Sequence, residues 1–409
     1  MDEKKLNSEE KSLWRNRDYL LLWSGQTIST FGSQASRIIL PLLILDITHS
    51  PAQAGFVGAC GTLPYLLLSL FAGTFADQFN RKTMMLICEI GRALIYATIV
   101  AALLLNSITI IQIYVAALFE GIFFVFFDIA EIASIKKIVG NKVSAATAQG
   151  NATDGFASLF GPSIGTILYQ IGQSLPFLLD AFSYIVSIFT LLMIKTEFQE
   201  EINETKPPIV KAIKEGISWL WHHKLIRTMS LLNTGAAFIF SNLILVLIVL
   251  SKEQHASSFQ IGMIISIAAV GSIIGATLGN TIKKRVSPGH VVIWACWIDA
   301  LLWPLYIFAP NFIIIGIITA ALFCAGSIWS VVQISFRISS VPDELQGRVN
   351  SVHRFLAYSV VPLGMALTGI ILQILGPKPT LFILFLGLLA IAIASSLSKD
   401  LRNSRLVKA

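Results

Sequence analysis

Long apolar stretches separated by short polar breaks run along almost the whole chain. A helix that crosses a bilayer needs roughly 20 mostly apolar residues, because its backbone groups must be satisfied without water. The pattern therefore predicts an all-α membrane protein with twelve transmembrane helices. The predicted spans, with ends placed to within about four residues, are 19–45, 53–76, 83–105, 108–135, 144–171, 176–194, 228–250, 257–282, 289–308, 311–337, 347–375 and 379–398.

Composition supports this interpretation over a soluble protein. Hydrophobic residues make up 55% of the chain and charged residues 13%, whereas soluble domains average about 45–50% and about 25%. The 4 cysteines lie inside apolar runs and lack the spacing of a metal site or a disulfide framework. The net charge of +7 comes from basic residues between the apolar runs, so we expect lipid contact and no nucleic acid partner.

The basic residues also predict the orientation of the spans. Of the 30 lysines and arginines, only Lys252 and Lys378 lie in predicted outer loops, and Arg37 and Arg92 lie within spans. The others lie in or beside predicted cytoplasmic segments, since short translocated loops reject Lys and Arg. Both termini are therefore expected in the cytoplasm. Residues 1–18 are polar, so we expect the first span to act as the targeting signal without a cleaved leader.

The longest polar break separates six spans from six and predicts the domain organisation. We assign residues 1–194 to an N-terminal bundle, 195–224 to a cytoplasmic linker and 225–409 to a C-terminal bundle. The linker segment from Ile209 to Trp221 has apolar residues at helical spacing. It predicts either an amphipathic helix on the inner membrane surface or a solvated connector helix.

Two loops repeat a pattern at about half the chain length. The loop after the second span runs from Gly73 to Lys82, and the loop after the eighth runs from Gly275 to Lys284, an offset of 202 residues. The repeat predicts a duplicated six-helix unit.

The first of these loops has the pattern Gly-x-x-x-Asp-x-x-x-Arg-Lys and resembles the loop between helices two and three of the major facilitator superfamily. The resemblance covers the whole chain and implies two pseudo-symmetric bundles that work as a secondary transporter. It also implies a cytoplasmic gate formed by Gly73, Asp77, Arg81 and Lys82. Physically, the Asp77 carboxylate can meet the positive N-terminal end of a helix of the other half, such as the eleventh span near Gly347.

Further segments resemble one branch of that superfamily. The stretches SGQTISTFGSQ, FLLDAFSYIVS and VPDELQGRVNSVHRF are similar to the drug-efflux branch that includes bacterial macrolide exporters and the enterobactin exporter. Gly161, Pro162 and Gly165 resemble, in shortened form, the helix-five motif linked to antiport. The resemblance implies outward transport of amphiphilic compounds across a bacterial inner membrane, and we expect a monomer without a cofactor.

One polar stripe marks the first span. Gln26, Thr30, Gln34 and Arg37 follow one another at steps of four, four and three, so they share one helix face. Buried charge in hydrocarbon is costly, so the stripe predicts a substrate cavity. Arg37 could alternatively snorkel to the outer interface.

Acidic residues within spans are the candidates for proton coupling. Glu120 lies about 18 Å from the predicted outer end of the fourth span, near the midplane, and is the leading candidate. Asp128, Asp154 and Asp299 are the others, although Asp128 and the neighbouring Glu131 could equally form ion pairs with another helix.

Aromatic residues and one charged pair within the spans are further candidates for the site and its support. Phe123, Phe124, Trp297 and Trp303 are predicted to supply aromatic contacts to the cavity, although such rings often only pack a bundle. Glu89 and Arg92 are spaced i, i+3 on one helix and are predicted to neutralise each other.

The combined prediction is a transporter working by alternating access, in which protons moving inward drive an amphiphilic, macrolide-like compound outward. Export of a siderophore or other specialised metabolite, import of a small metabolite, and a receptor or lipid scramblase remain alternatives. No nucleotide-binding loop, His-Glu-x-x-His motif or metal-ligand pattern occurs in the sequence, so the chain is not predicted to be an enzyme or to hold a metal.

Overall fold

The structure, a computed structural model, describes residues 13–198 and 209–404. These residues form α-helices joined by short connections, with no strand among them. The helices are α1 Arg17–Arg37, α2 Ile39–Thr48, α3 Pro51–Gln78, α4 Arg81–Leu104, α5 Ile110–Val139, α6 Val143–Ile171, α7 Leu175–Met193, α8 Ile209–His222, α9 Lys224–Phe240, α10 Leu243–Glu253, α11 Ser258–Ile282, α12 Pro288–Leu302, α13 Leu305–Phe308, α14 Phe312–Ser340, α15 Asp343–Ser359, α16 Val361–Leu375, α17 Pro377–Leu397 and α18 Lys399–Arg402.

The predicted spans correspond to these helices, and their ends agree to within about four residues. In the described residues, 10 helical segments are long and apolar enough to cross a membrane. The helices α3 and α6, with 28 and 29 residues, occupy the predicted second and fifth spans. The all-α membrane fold is confirmed, and the number of twelve crossings stays a prediction.

Side-chain caps set several of the helix starts. Asn16 accepts a hydrogen bond from the backbone N–H of Tyr19 at the start of α1, and Thr109 accepts one from Gln112 at the start of α5. Ser257 opens α11 with a complete capping box. Such caps satisfy N–H groups that have no partner inside the helix, which is why these boundaries could be predicted from short polar breaks.

Neighbouring contacts arrange each half as an arc of helices. In the N-terminal half the order is α6, α1, α7, α4, α5 and α3. In the C-terminal half it is α11, α14, α12, α17, α9 with α10, and α16. In both halves the fifth helix of the unit neighbours the first, which is the arrangement that a duplicated unit requires.

The two halves meet along two seams. At the first, α3 packs against α16, and a Cβ added to Gly55 would lie 2.9 Å from the Cα of Gly369. At the second, α6 packs against α11, and the hydroxyls of Ser163 and Ser266 are 2.8 Å apart. Small residues thus bring the backbones of the two halves into direct contact.

The linker helix α8 packs on the C-terminal half, and its position at the inner membrane surface stays a prediction. It packs against α15 and α9 of the C-terminal half, and Leu220 is buried there in a cluster with Val349 and Val352. An ion pair joins Glu215 to Arg348 of α15. The apolar side of α8 is therefore shared with protein, while Trp221 stays 52% exposed. Residues 199–208 of the linker lie outside the described part of the chain.

Candidate functional site

The polar stripe of α1 is turned toward the inside of the N-terminal arc. Gln26 donates to the Ser187 hydroxyl of α7 at 3.1 Å, and Gln34 donates to the Ser158 hydroxyl of α6 at 2.9 Å. Arg37 lies one turn further on, exposed and about 16 Å below the outer end of α2 at 1.5 Å per residue. Thr30 is half-buried on the same face.

Arg92 of α4 is the central cation of this arc. Only 5% of the residue is exposed, and its Nη2 lies 3.0 Å from Glu120 Oε1 of α5. The guanidinium carbon lies 4.4 Å from the centre of the Tyr184 ring and 5.9 Å from that of Phe124. A desolvated guanidinium gains strongly from such a carboxylate and from aromatic faces. Arg92 and Glu120 therefore form a buried pair about 15 Å below the start of α5.

Glu89 and Arg92 interact electrostatically, as predicted, although Arg92 makes its direct ion pair with Glu120. Glu89 is fully buried, and its Oε1 accepts a hydrogen bond from Ser187 at 2.8 Å. Its Oε2 has no hydrogen-bond partner among the described residues. The i, i+3 spacing brings the two charges near each other along α4, while the Arg92 guanidinium contacts Glu120 of α5. Glu89 thus remains a buried carboxyl connected through Ser187 to Gln26 of the first span.

An ion pair between Arg354 and Asp128 joins the two halves. Arg354 of α15 lies 3.5 Å from Asp128 of α5, and it also donates to the Tyr65 hydroxyl of α3. The rings of Tyr65 and Tyr358 are 4.7 Å apart. Sequence reasoning missed Arg354, Tyr65 and Tyr358. The available signal was the position of Arg354 inside the predicted eleventh span, 347–375.

Two further carboxyls lie near Asp128. Glu131 is half-buried one turn further along α5, and Asp154 of α6 is exposed. Glu131 interacts electrostatically with Asp128, Asp154 and Glu89. Carboxylates that share a poorly hydrated site repel one another, so they favour binding of protons or of another cation. This acidic cluster, defined as Glu89, Asp128, Glu131 and Asp154, is the main electrostatic feature of the arc.

The outer ends of the halves are joined by a separate contact. Lys252 of α10 forms an ion pair with Asp46 of α2, and the Tyr169 hydroxyl donates to Asp46 at 2.7 Å. Beneath it, Leu43 and Ile248 are fully buried. The outer side of the interface is therefore closed.

Two of the predicted gate residues are well defined, at the side of the bundle that is predicted to face the cytoplasm. Arg81 donates to the backbone oxygens of Ala133 at 2.8 Å and Phe198 at 3.2 Å, and Lys82 donates to that of Ile194 at 2.6 Å. Cations on the carbonyl ends of helices are electrostatically favourable. Gly73 and Asp77 lie in α3, and the side chain of Asp77 lies outside the described part of the structure.

The structure separates the predicted aromatic and acidic residues of the C-terminal half from this arc. Trp297 donates to the Ser396 hydroxyl at 2.8 Å and Trp303 to the backbone oxygen of Leu381 at 3.1 Å. Both indoles therefore fix the segment of α12 to α17, because a buried indole N–H needs an acceptor. Trp303 is fully buried and Trp297 is half-buried, and a place of Trp297 in a cavity stays a prediction. Asp299 is buried in α12, and its Oδ1 has no hydrogen-bond partner among the described residues. The helix α12 packs on α14 and α17 of its own half, apart from the acidic cluster.

The other aromatic predictions fall on the N-terminal arc. Phe124 is 44% exposed beside Arg92, whereas Phe123 packs over Gly91, where an added Cβ would lie 2.4 Å from its ring. Phe124 thus offers an open aromatic face and Phe123 fills the space between α4 and α5.

The residues of the predicted helix-five motif, Gly161, Pro162 and Gly165, lie in α6 and form its contact with α1. A Cβ added to Gly165 would lie 2.0 Å from the carbonyl oxygen of Ala35, and one added to Gly161 would lie 2.7 Å from Gln34. The carbonyl of Pro162 faces the other half, 2.9 Å from the position of a Cβ on Gly262. These residues let α6 lie close to both halves.

Comparison with known proteins agrees with this architecture. The model of the family described as transmembrane secretion effector matches residues 12–405. The chain is 23% identical over 396 residues to the multidrug efflux pump Tap of Mycolicibacterium fortuitum, covering 94% of this chain and 96% of that protein. It is 24% identical over 341 residues to the enterobactin exporter EntS of Escherichia coli O1:K1 / APEC, covering 81% and 80%.

A solved structure gives the same result for the fold. The nucleoside transporter NupG superimposes with a TM-score of 0.73 at 12% identity, covering 95% of this chain and 100% of that chain. At that identity the likeness shows the fold alone. Since the family model spans nearly the whole chain, this protein belongs to the transmembrane secretion effector family, and so to the transporters of the major facilitator superfamily.

Proposed function

We propose that this protein exports amphiphilic cationic compounds in exchange for protons by alternating access. The observation that carries the proposal is the concentration of carboxyl groups inside the N-terminal arc. Among the described residues, two guanidiniums, those of Arg92 and Arg354, form ion pairs with Glu120 and with the acidic cluster. A proton or an organic cation neutralises such a site, so the two compete for it.

The Asp128–Arg354 pair links this competition to the movement of the halves. The pair joins α5 to α15 across the interface, so protonation of Asp128 removes the attraction that holds the halves together there. A protonated carrier then opens inward, releases its proton to the cytoplasm and binds the compound. This order gives exchange of protons for an outgoing cation.

The contact between the outer ends of the halves has the opposite role in the transport cycle. The Asp46–Lys252 pair and the Tyr169 hydroxyl hold the outer ends together in this structure, and they must separate before the compound leaves. Each state is then stabilised by its own contact between the halves, as alternating access requires. The glycines and Pro162 of α6 would serve as the hinge, and Asp77 would lock the inner side.

The surroundings of Glu120 define the expected ligand. Phe124 offers an exposed aromatic face next to the Glu120–Arg92 pair, and such a face suits a lipophilic cation. The proposal places the protein in a bacterial inner membrane as a monomer with both termini in the cytoplasm. Efflux measurements test both the proton coupling and the substrate class.

A second candidate, export of an acidic, siderophore-like metabolite, is favoured by one observation. Arg37 is an exposed cation on the inner face of α1 and has no ion-pair partner among the described residues. An anionic compound could pair with it. Loss of export of such a compound in Arg37→Gln, with lipophilic cation export intact, would favour this candidate.

The test is efflux of a panel of lipophilic cations and macrolides from energised cells that produce the wild type, Asp128→Asn or Glu120→Gln. We expect wild-type export that collapses on addition of a protonophore and in Asp128→Asn. Export that survives the protonophore would contradict proton coupling. Surface expression of each variant, measured by quantitative labelling, separates loss of transport from loss of protein.

A further inference from the structure

A groove at the cytoplasmic end of the first span is not part of the transport site. Its volume is about 370 Å³, and it is lined by Arg15, Arg17, Leu20, Leu21, Trp23 and Ser24. All six residues belong to the first span or the turn before it. The groove therefore combines cationic, aromatic and aliphatic walls within a single short segment.

The groove faces away from the interior of the protein. Leu21, Ser24 and Ile28 follow at steps of three and four and share one face of α1, and Ile28 is 43% exposed. The opposite face carries Gln26 and Ser33, which bond inside the arc. Since α6 and α7 cover the sides of α1, the groove opens between them toward the lipid.

The cations at the rim are exposed, and Arg17 interacts electrostatically with Asp18. Arg15 and Arg17 are exposed, and neither has an ion-pair partner among the described residues. The nearby carboxylate of Asp18 is already occupied, since it accepts hydrogen bonds from the backbone N–H groups of Lys195 at 3.2 Å and Thr196 at 2.8 Å. Those bonds also bring the exposed Lys195 to the start of α1.

The aromatic wall is fixed in place. Trp23 donates from Nε1 to the Thr153 hydroxyl of α6 at 3.1 Å, and its ring meets Trp14 edge-on at 5.5 Å between centroids. Trp14 itself is 63% exposed. Tryptophan prefers the headgroup level of a bilayer, and arginine binds phosphate bidentately. The wall is thus positioned where the headgroup of an inner-leaflet lipid lies.

We propose that this groove binds one anionic phospholipid of the inner leaflet, with its phosphate on Arg15 and Arg17 and its first acyl segment along Leu20, Leu21 and Trp23. The apolar wall and the opening toward lipid favour a phospholipid over a soluble phosphate. The charge of the rim favours an anionic lipid over a zwitterionic one.

The test uses native mass spectrometry of the full chain in detergent, titrated with phosphatidylglycerol or phosphatidylcholine. Each basic residue near an anionic headgroup contributes about a fivefold change in affinity. We therefore expect Arg15→Gln/Arg17→Gln to bind phosphatidylglycerol roughly 25-fold more weakly. The matched control is Lys284→Gln/Arg285→Gln, which removes two exposed charges from another cytoplasmic loop and should bind like the wild type.

Three results would overturn the proposal. The first is equal binding of the two lipids by the wild type, and the second is an equal loss in the control variant. The third is full competition by inorganic phosphate or by glycerophosphoglycerol, because a headgroup without chains cannot use the apolar wall. Only molecules that elute as folded monomer in size-exclusion chromatography are compared, so that misfolding of a variant does not imitate weaker binding.

Discussion

The fourth and tenth spans occupy equivalent places in the two halves and differ in chemistry. The helices α5 and α14 have 30 and 29 residues and mean hydropathies of 2.2 and 2.3 in their most apolar windows. However, α5 carries Glu120, Asp128 and Glu131, whereas α14 has no acidic residue. Duplication has therefore preserved the framework, while the ionisable groups are concentrated in the N-terminal half. The C-terminal half contributes Arg354 to them.

The cytoplasmic loops show which features the two halves share. Arg81 donates to the carbonyl of Ala133 at the end of α5, and Lys283 donates to the Ser335 hydroxyl at the end of α14 at 3.3 Å. Both partners are offset by 202 residues, as the loops themselves are. Cations at helix ends are thus a structural element of the repeated unit, and the acidic cluster is a specialisation of one copy.

The largest expected effect comes from removing the buried partner of Arg92. In Glu120→Gln, the buried Arg92 loses its direct ion-pair partner and keeps only the interactions with Glu89 and Asp180, which costs about 3 kcal/mol of stability. The matched control is Glu215→Gln, which breaks the partly exposed linker pair with Arg348 and should cost under about 1 kcal/mol. Thermal unfolding of the purified proteins measures both. Equal losses would remove the distinction between the interior of the N-terminal arc and the linker.

The next effect concerns the pair between the halves. Asp128→Asn and Arg354→Gln should each reduce transport roughly tenfold, because each removes the same contact. The double variant should then be no worse than either single variant. Initial rates of efflux at equal surface expression test this. Additive losses would show that the two residues act separately.

A smaller effect is expected at the outer contact. Asp46→Asn weakens a partly exposed ion pair, so the population open to the outside should rise by up to about fivefold. Its measurement is the labelling rate of a cysteine at the buried position Leu43 by an impermeant maleimide, in a background without native cysteines. Slower labelling than in the parent would mean that the pair does not hold the outer side closed.

The smallest effect is expected in the C-terminal half. Asp299→Asn should change export, and its dependence on the pH gradient, by less than about twofold, since Asp299 lies apart from the acidic cluster. Transport assays at several external pH values measure this. A large change would place a coupling carboxyl in the C-terminal half and remove the contrast between the halves.

The spans and the repeated loops could be predicted from the sequence because lipid contact and loop charge act on each segment separately. Contacts between segments could not. Arg92 had an acid within reach on its own helix, and only the packing of α4 on α5 selects Glu120. Likewise, the spacing of Trp297 and Trp303 along the sequence does not tell that both indoles donate to groups of α17.

The linker helix is a similar case. An apolar face fits a membrane surface as well as another helix, and the choice depends on the surface formed by α9 and α15. Arg354 lies inside the predicted eleventh span, but its contacts with Asp128 of α5 and Tyr65 of α3 depend on how the halves pack together.

The most direct test of the central claim uses proteoliposomes with an imposed pH gradient and measures uptake or release of a lipophilic cation by purified protein. Asp128→Asn/Glu131→Gln, which neutralises part of the acidic cluster, is compared with Asp299→Asn. The account predicts that the gradient drives transport in the wild type and in Asp299→Asn and has no effect in the doubly neutralised variant. Gradient-driven transport that persists in the doubly neutralised variant and is lost in Asp299→Asn would contradict it.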